Sequence, residues 1–251
     1  MGSTTISVEA FREEFRATVP RGYSGVRHGA IILGTGLIAI AIFAALLEQP
    51  LRWFDWAMVP LVVLGWNWVE WYVHLKVLHR PGRNAVSRVL YNRHALTHHK
   101  FFTQADATLR DSRDLKIVFF PAFALPAIIV LTGIPALVAG FLLSRNAGLI
   151  VVIATVAMYL LFEAFHLCAH LPERGWLTTL PIVNSMRRHH RAHHDQALMM
   201  TTNMNFTLPV SDWFFDTCDL DRGLWGMTFN GNSEEHVRPK ESKREPAAGR
   251  G

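Results

Sequence analysis

Residues 147–170 read AGLIVVIATVAMYLLFEAFHLCAH, and this stretch decides the fold. Sixteen residues without a charge precede Glu163, and His166 and His170 then follow in the last turn and a half. At about 1.5 Å per residue the stretch is long enough for a ~30 Å hydrocarbon core. Its polar groups are confined to one end, where a helix leaves lipid. Polar groups there are costly unless paired or functional.

The same design recurs upstream. Trp56 to about Leu78 is apolar until Asn67, Glu70 and His74 appear in its second half. Ile31–Leu47 is uncharged, and its long acidic leader with no cleavage site after it marks it as a retained span. Ile117–Leu143 is apolar but holds Pro121, Pro126 and Pro135, so it reads either as one kinked span or as a re-entrant pair. One crossing puts every histidine group on one side, and four spans are therefore expected. Both termini and the 76–116 loop then share a face carrying 23 of the 25 Lys and Arg residues, with only Arg52 and Arg145 opposite. The positive-inside rule makes the histidine face cytoplasmic.

Composition agrees. Of 251 residues, 50% are hydrophobic and 18% charged, and the mean hydropathy is +0.17. These values argue against a disordered chain and an ordinary soluble enzyme. Two cysteines exclude a disulfide framework and a four-cysteine metal site. The net charge of +5 needs no partner beyond anionic headgroups, and no aromatic-basic module suggests nucleic acid. The expected organisation is an interfacial segment over residues 1–28, with Val8, Phe11 and Phe15 on one helix side. A membrane-embedded domain over 29–232 and a disordered polar tail over 233–251 follow.

Thirteen histidines are present, and most fall into four groups. These are Glu70-x3-His74-x4-His79, His94-x3-His98-His99, Glu163-x2-His166-x3-His170 and His189-His190-x2-His193-His194. Residues three or four apart share a helix face, so His94 and His98, His166 and His170, and His190 with His193 and His194 can each aim imidazoles one way. His99 and His194 follow about 100° further round, so one helix can feed two neighbouring metals. The spacing of five between His74 and His79 fits a helix end or a local unwinding. Neutral imidazole suits Fe, Zn, Cu or Ni. The expected ligands are His74, His79, His94, His98, His99, His166, His170, His190, His193 and His194, five for each of two ions. His190 fits the spacing more regularly than His189. Glu70, Glu163 and His189 are candidates to orient imidazoles by hydrogen bonding, although the two glutamates can equally mark span ends. Cys168 is expected to pack, and His28 and His236 to be structural or surface residues.

Four groups of this form and order between paired apolar spans resemble the fatty acid hydroxylase / sterol desaturase superfamily, over about Trp66–Thr217. The Glu70–His79 and His189–His194 segments are most similar to fatty acid 2-hydroxylases. The stretch Asn205-Phe206 through Asp212-Trp213-Phe214-Phe215-Asp216-Thr217 resembles the family's ending, with three departures. Thr207 and Asp216 stand where Gly is usual, and Asp212-Trp213 reverses the usual Trp-Asp. The departures bear on the substrate lid and not on the metals.

The resemblance implies an all-α integral membrane fold of about four spans whose histidine-rich cap holds a dimetal site. It also implies an O2-dependent oxidoreductase that hydroxylates a lipid C–H bond. Iron is the expected metal, with zinc able to substitute. Electrons would come from a separate donor, cytochrome b5-like, a ferredoxin or a reductase, because no such domain is attached. Trp213, Phe214 and Phe215 would cover a lipid slot or anchor the interface. Desaturation and sterol or carotenoid oxidation use the same constellation. A metal transporter is the rival from another class, but it needs ligands along a path through the bilayer. Arg outnumbers Lys 20 to 5, which favours a bacterial inner membrane over the endoplasmic reticulum.

Overall fold

The computed structural model describes residues 7–238. Among them, the main helices are α1 (Val8–Thr18), α2 (Gly25–Ala45), α3 (Trp53–Val73), α4 (Ala85–Tyr91), α5 (Ala124–Leu142), α6 (Arg145–His170), α7 (Pro181–His193), α8 (Val210–Phe214) and α9 (Gly223–Phe229), with long irregular connections between α4 and α5 and between α7 and α8. The only β pairing among the described residues is an isolated bridge between Leu220 and Val237.

Three helices, α2, α5 and α6, are long and apolar enough to cross a membrane. At 21 residues α3 is equally long, but it carries Asp55, Asn67 and Glu70. Burial ranks them. In α6, 61% of the most apolar window is buried, against 11% in α2 and 17% in α5. So α6 is the central post, and α2, α3 and α5 pack around it. Its core partners include Ile32, Met58 and Leu125. Ile38, Leu131 and Phe141 stay exposed on the outer helices, as a lipid-facing surface requires.

The prolines do not split the third run. Pro121 precedes α5, and Pro126 and Pro135 lie within one continuous helix. The re-entrant alternative is therefore not adopted. The α2–α3 and α5–α6 connections meet at the end away from the histidines. There Asn146 accepts from the Glu48 N–H and donates to the Glu48 carbonyl, and the Ser144 hydroxyl donates to Asp55. Close approach of α5 and α6 depends on Gly148, where a Cβ would lie 2.6 Å from the Ala136 carbonyl oxygen and 3.1 Å from the Gly140 Cα.

Two expected boundaries move. Residues 25–28 already belong to α2, so the leading segment ends before them. Phe11 and Phe15 of α1 pack against Phe101 and Phe102 of the cap. Buried Arg12 donates to the Phe101 carbonyl and to Asp106, and Arg16 pairs with buried Asp114 at 2.8 Å. At the other end, Arg238 and Asp221 join the Leu220–Val237 pairing through backbone hydrogen bonds. Arg188 is paired with Glu234. Ordered structure thus continues past residue 232, and the expectation of disorder over 239–251 lies outside the described residues.

Gly148→Val should lower the thermal midpoint in detergent, since a valine must push backbone and not a flexible side chain. Gly133→Val, where nothing lies within 4 Å, should leave it unchanged. Equal behaviour of the two variants would refute the close-packed hairpin.

Candidate metal centre

The four histidine groups converge at one end of the helix bundle. Two π-helical turns, His74–Leu78 and Asn92–His98, make this possible. In an i→i+5 turn, residues five apart align. The His79 N–H reaches the His74 carbonyl, and the His99 N–H reaches that of His94. The loose spacing of five is therefore a single aligned face. This changes the grouping expected from spacing. His94 goes with His99, while His98, stacked on His94 at 5.2 Å, joins the other set.

One set is His74, His79, His94, His99 and His193, and the second is His98, His166, His170 and His190. Within each set the ligand-capable atoms lie within 4.8 Å of one another, and each set could hold a metal ion. His194 joins the second set through His190, with Nε2 atoms 3.0 Å apart, and its ring also lies 4.4 Å from that of His99. All ten imidazoles are buried.

Proton bookkeeping shows why these rings suit cations. His74, His193, His170 and His194 each direct Nδ1 at a backbone carbonyl, those of Met204, Thr202, Ala107 and Phe102, at 2.6–2.7 Å. A carbonyl only accepts, so Nδ1 carries the proton and Nε2 of the neutral ring is a bare lone pair. Yet His79 Nε2 lies 3.1 Å from His74 Nε2 and 3.0 Å from His193 Nε2, and it can donate to only one of them. His190 Nε2 is likewise 3.0 Å from both His170 Nε2 and His194 Nε2. Protonation does not resolve the conflict. Burial pushes His79 down to about 2 and His193 to about 4. Burial and neighbouring imidazoles hold His74, His94, His98, His99, His190 and His194 well below the usual histidine range. Converging lone pairs of neutral imidazoles are the donor set of a first-row metal ion.

The orienting acceptors differ from those expected. Glu70 accepts from Trp66, from the Phe206 and Thr207 N–H groups and from the Thr207 hydroxyl, and from no imidazole. Glu163 accepts from Tyr159 at 2.6 Å and from the Phe120 N–H. Both carboxylates brace backbone next to the centre instead of touching it. His189 points away, its Nε2 3.1 Å from Asp212. Backbone carbonyls take the orienting role, a role for which side-chain identity carries no signal.

Spacing also missed Asp212, Asn67 and Phe206. Fully buried Asp212 accepts from the Met204 and Asn205 N–H groups and from Thr217 and His189. Asn67 of α3 donates to the Leu208 carbonyl and accepts from the Ser211 N–H. Together they fix the 203–208 loop that supplies the acceptor for His74. Phe206 lies against the rings of His74, His166 and His190 at 4.6–5.1 Å, touching both sets. The polar Asn67 inside an apolar run was the available hint.

The three sequence departures now have reasons. Thr207 adds its hydroxyl to Glu70. Asp216 adopts the left-handed backbone, φ 56°, that glycine takes easily, and Arg238 pairs with its carboxylate. Asp212, ahead of Trp213, is the loop anchor. Trp213 and Phe214 are exposed, and Phe215 stacks on Trp71 at 4.2 Å. The aromatic rings against the imidazoles are instead those of Phe206 and of Phe102, which stacks on His170 at 4.0 Å.

A family model for fatty acid hydroxylase matches residues 59–217, more than half of the chain. The chain belongs to the fatty acid hydroxylase family, whose members are oxidoreductases. No curated protein and no solved structure matches it.

His190→Ala should lower bound metal from two ions per chain toward one, read by elemental analysis of protein purified from iron-replete cells. His236→Asn, at an exposed position outside both sets and compatible with the positive φ there, should leave the count unchanged. Full metal content in His190→Ala would mean that His190 is not a ligand.

Proposed function

We propose that this protein is an O2-dependent di-iron hydroxylase that inserts one oxygen atom into a lipid acyl chain at its carboxyl-derived end, the 2-position. The observation that carries this reading is the pair of adjacent, buried, neutral imidazole sets at the boundary of apolar helices. The ten histidines named above are the proposed ligands, with His194 in the second set. Bound iron would supply O2 activation and electron transfer, with the balance R–H + O2 + 2 e⁻ + 2 H⁺ → R–OH + H2O. The chain's own part is positional. Carbonyls of Phe102, Ala107, Thr202 and Met204 set ring orientation and tautomer. Phe206, with Phe162 at 5.0 Å, gives the centre an apolar wall that excludes water and accepts a hydrocarbon chain. The two electrons come from a separate donor protein.

The test is expression in a host lacking the activity, with a matching reductase and 18O2. A lipid bearing one 18O, located by fragmentation next to the carboxyl-derived carbon, is the expected product. Loss of two hydrogens without label would make the protein a desaturase, and oxygen derived from water would remove the oxygenase reading.

We further propose four crossings with the histidine centre in the cytoplasm of a bacterial inner membrane. Support comes from the 23-to-2 charge split and from the meeting of the two short interhelical connections at the far end. In a background with Cys168 and Cys218 replaced, an impermeant thiol reagent added from outside should label Gln49→Cys and not Arg83→Cys. Labelling of Arg83→Cys would overturn this orientation.

A further inference from the structure

A second feature lies beside the metal centre and belongs to neither histidine set. Between the start of α2 and the chain entering α5 is a cleft of about 340 Å³. Its lining includes Tyr23, Arg27, His28, Arg93 and Lys116, with Ile31 above them. No carboxylate lines it, and none of its three cations forms an ion pair among the described residues. The cap also has arginines that face carboxylates, among them Arg12, Arg16 and Arg188; what sets this cleft apart is that three basic side chains line one concavity with no acidic one. Arg93 donates to the carbonyls of Lys116 and Phe119, which fix its guanidinium, and Glu163 partly balances its charge from behind the cleft. Tyr23 and His28 share a hydrogen bond of 3.0 Å on the same wall. Arg27 and Lys116 have no carboxylate in the cleft, so an anion entering it meets positive charge that no side chain of the lining balances.

The anion's attachment is read from the walls. Arg27 and Ile31 are four residues apart and so lie on one face of α2. Ile31 is 45% exposed and begins the lipid-facing surface of that helix. The opposite wall, Pro121 and Ala122, leads directly into α5. A charged group held at the cations therefore has an apolar track above it, parallel to two membrane helices. We propose that this cleft is a binding site for the phosphate of an anionic membrane lipid, with one acyl chain lying along Ile31. The site is rigidly joined to the metal centre, because Arg93 precedes His94 in its π-helical turn and Phe120 N–H is fixed on Glu163.

The experiment uses the full-length protein in detergent and native mass spectrometry with added phosphatidylglycerol. The double variant Arg27→Gln/Lys116→Gln should bind the lipid about 25-fold more weakly, each cation near a headgroup contributing about fivefold. The control Arg80→Gln/Arg83→Gln, which removes exposed cations outside the cleft, should bind like the unmodified protein. Metal content and elution volume report whether each variant is folded, and should the double variant fail to fold, Arg27→Gln alone should show the fivefold loss. Equal binding by the cleft variants and the unmodified protein would overturn the proposal, as would an equal loss in the control. Displacement of the lipid by millimolar inorganic phosphate would show a phosphate site without lipid specificity and overturn the assignment to a lipid.

Discussion

The structure depends on one constraint: neutral imidazoles whose Nε2 atoms converge are held together in a buried pocket. Lone pairs at 3 Å repel, and buried rings that cannot take up a proton have no internal way to relieve it. Everything around them keeps the rings from turning away. Four backbone carbonyls hold four Nδ1 protons, and neighbouring rings and Phe102 and Phe206 fill the rest. The conflict is the one a bound cation removes. In such a site, metal binding and folding are linked, because the ligands are best placed only when the charge is there.

Holding that arrangement explains the polar groups inside the apolar helices. Asn67 and Glu70 on α3, and Glu163 on α6, each bind backbone of a connecting segment. Asp212 closes the same loop from the other side. A buried carboxylate that accepts several N–H groups is satisfied without a counter-ion, and in exchange it fixes loops that have no regular secondary structure. Arg12 and Arg187 serve the same purpose on the outer side of the cap, donating to the carbonyls of Phe101 and Leu171. The membrane helices are thus the posts, and the irregular segments tied to their histidine-bearing ends are the clamp.

Charge is sorted along the same axis. Arg12, Arg16 and Arg188 in the cap meet carboxylates, whereas Arg27 and Lys116 near the start of α2 face a concavity with none. The difference divides the surface into a part that stabilises the cap internally and a part left available to anions at membrane level. Both lie within one packed unit, since the segment carrying Lys116 and Phe119 links the cleft to the core around α6.

Local pattern along the chain specifies the membrane helices, the end of them that carries chemistry and the identity of the histidines brought together. Each of these is written in local spacing: long apolar runs, polar groups at one terminus, and imidazoles three to five residues apart. Tertiary structure alone decided how those histidines divide. His94 pairs with His99 because the helix there is wound with i→i+5 hydrogen bonds, which the residue pattern does not announce. It also decided what orients the rings. The acceptors for His74 and His170 are carbonyls 130 and 63 residues distant in the chain. Every residue owns a carbonyl, so no residue type marks the ones that matter. Glu70 and Glu163 carried the visible signal for that task, yet folding turns them toward backbone N–H groups instead. Phe206 becomes the ring against both sets because Asp212 and Asn67 pin its loop across the ends of α3 and α6, a long-range closure that no local spacing encodes.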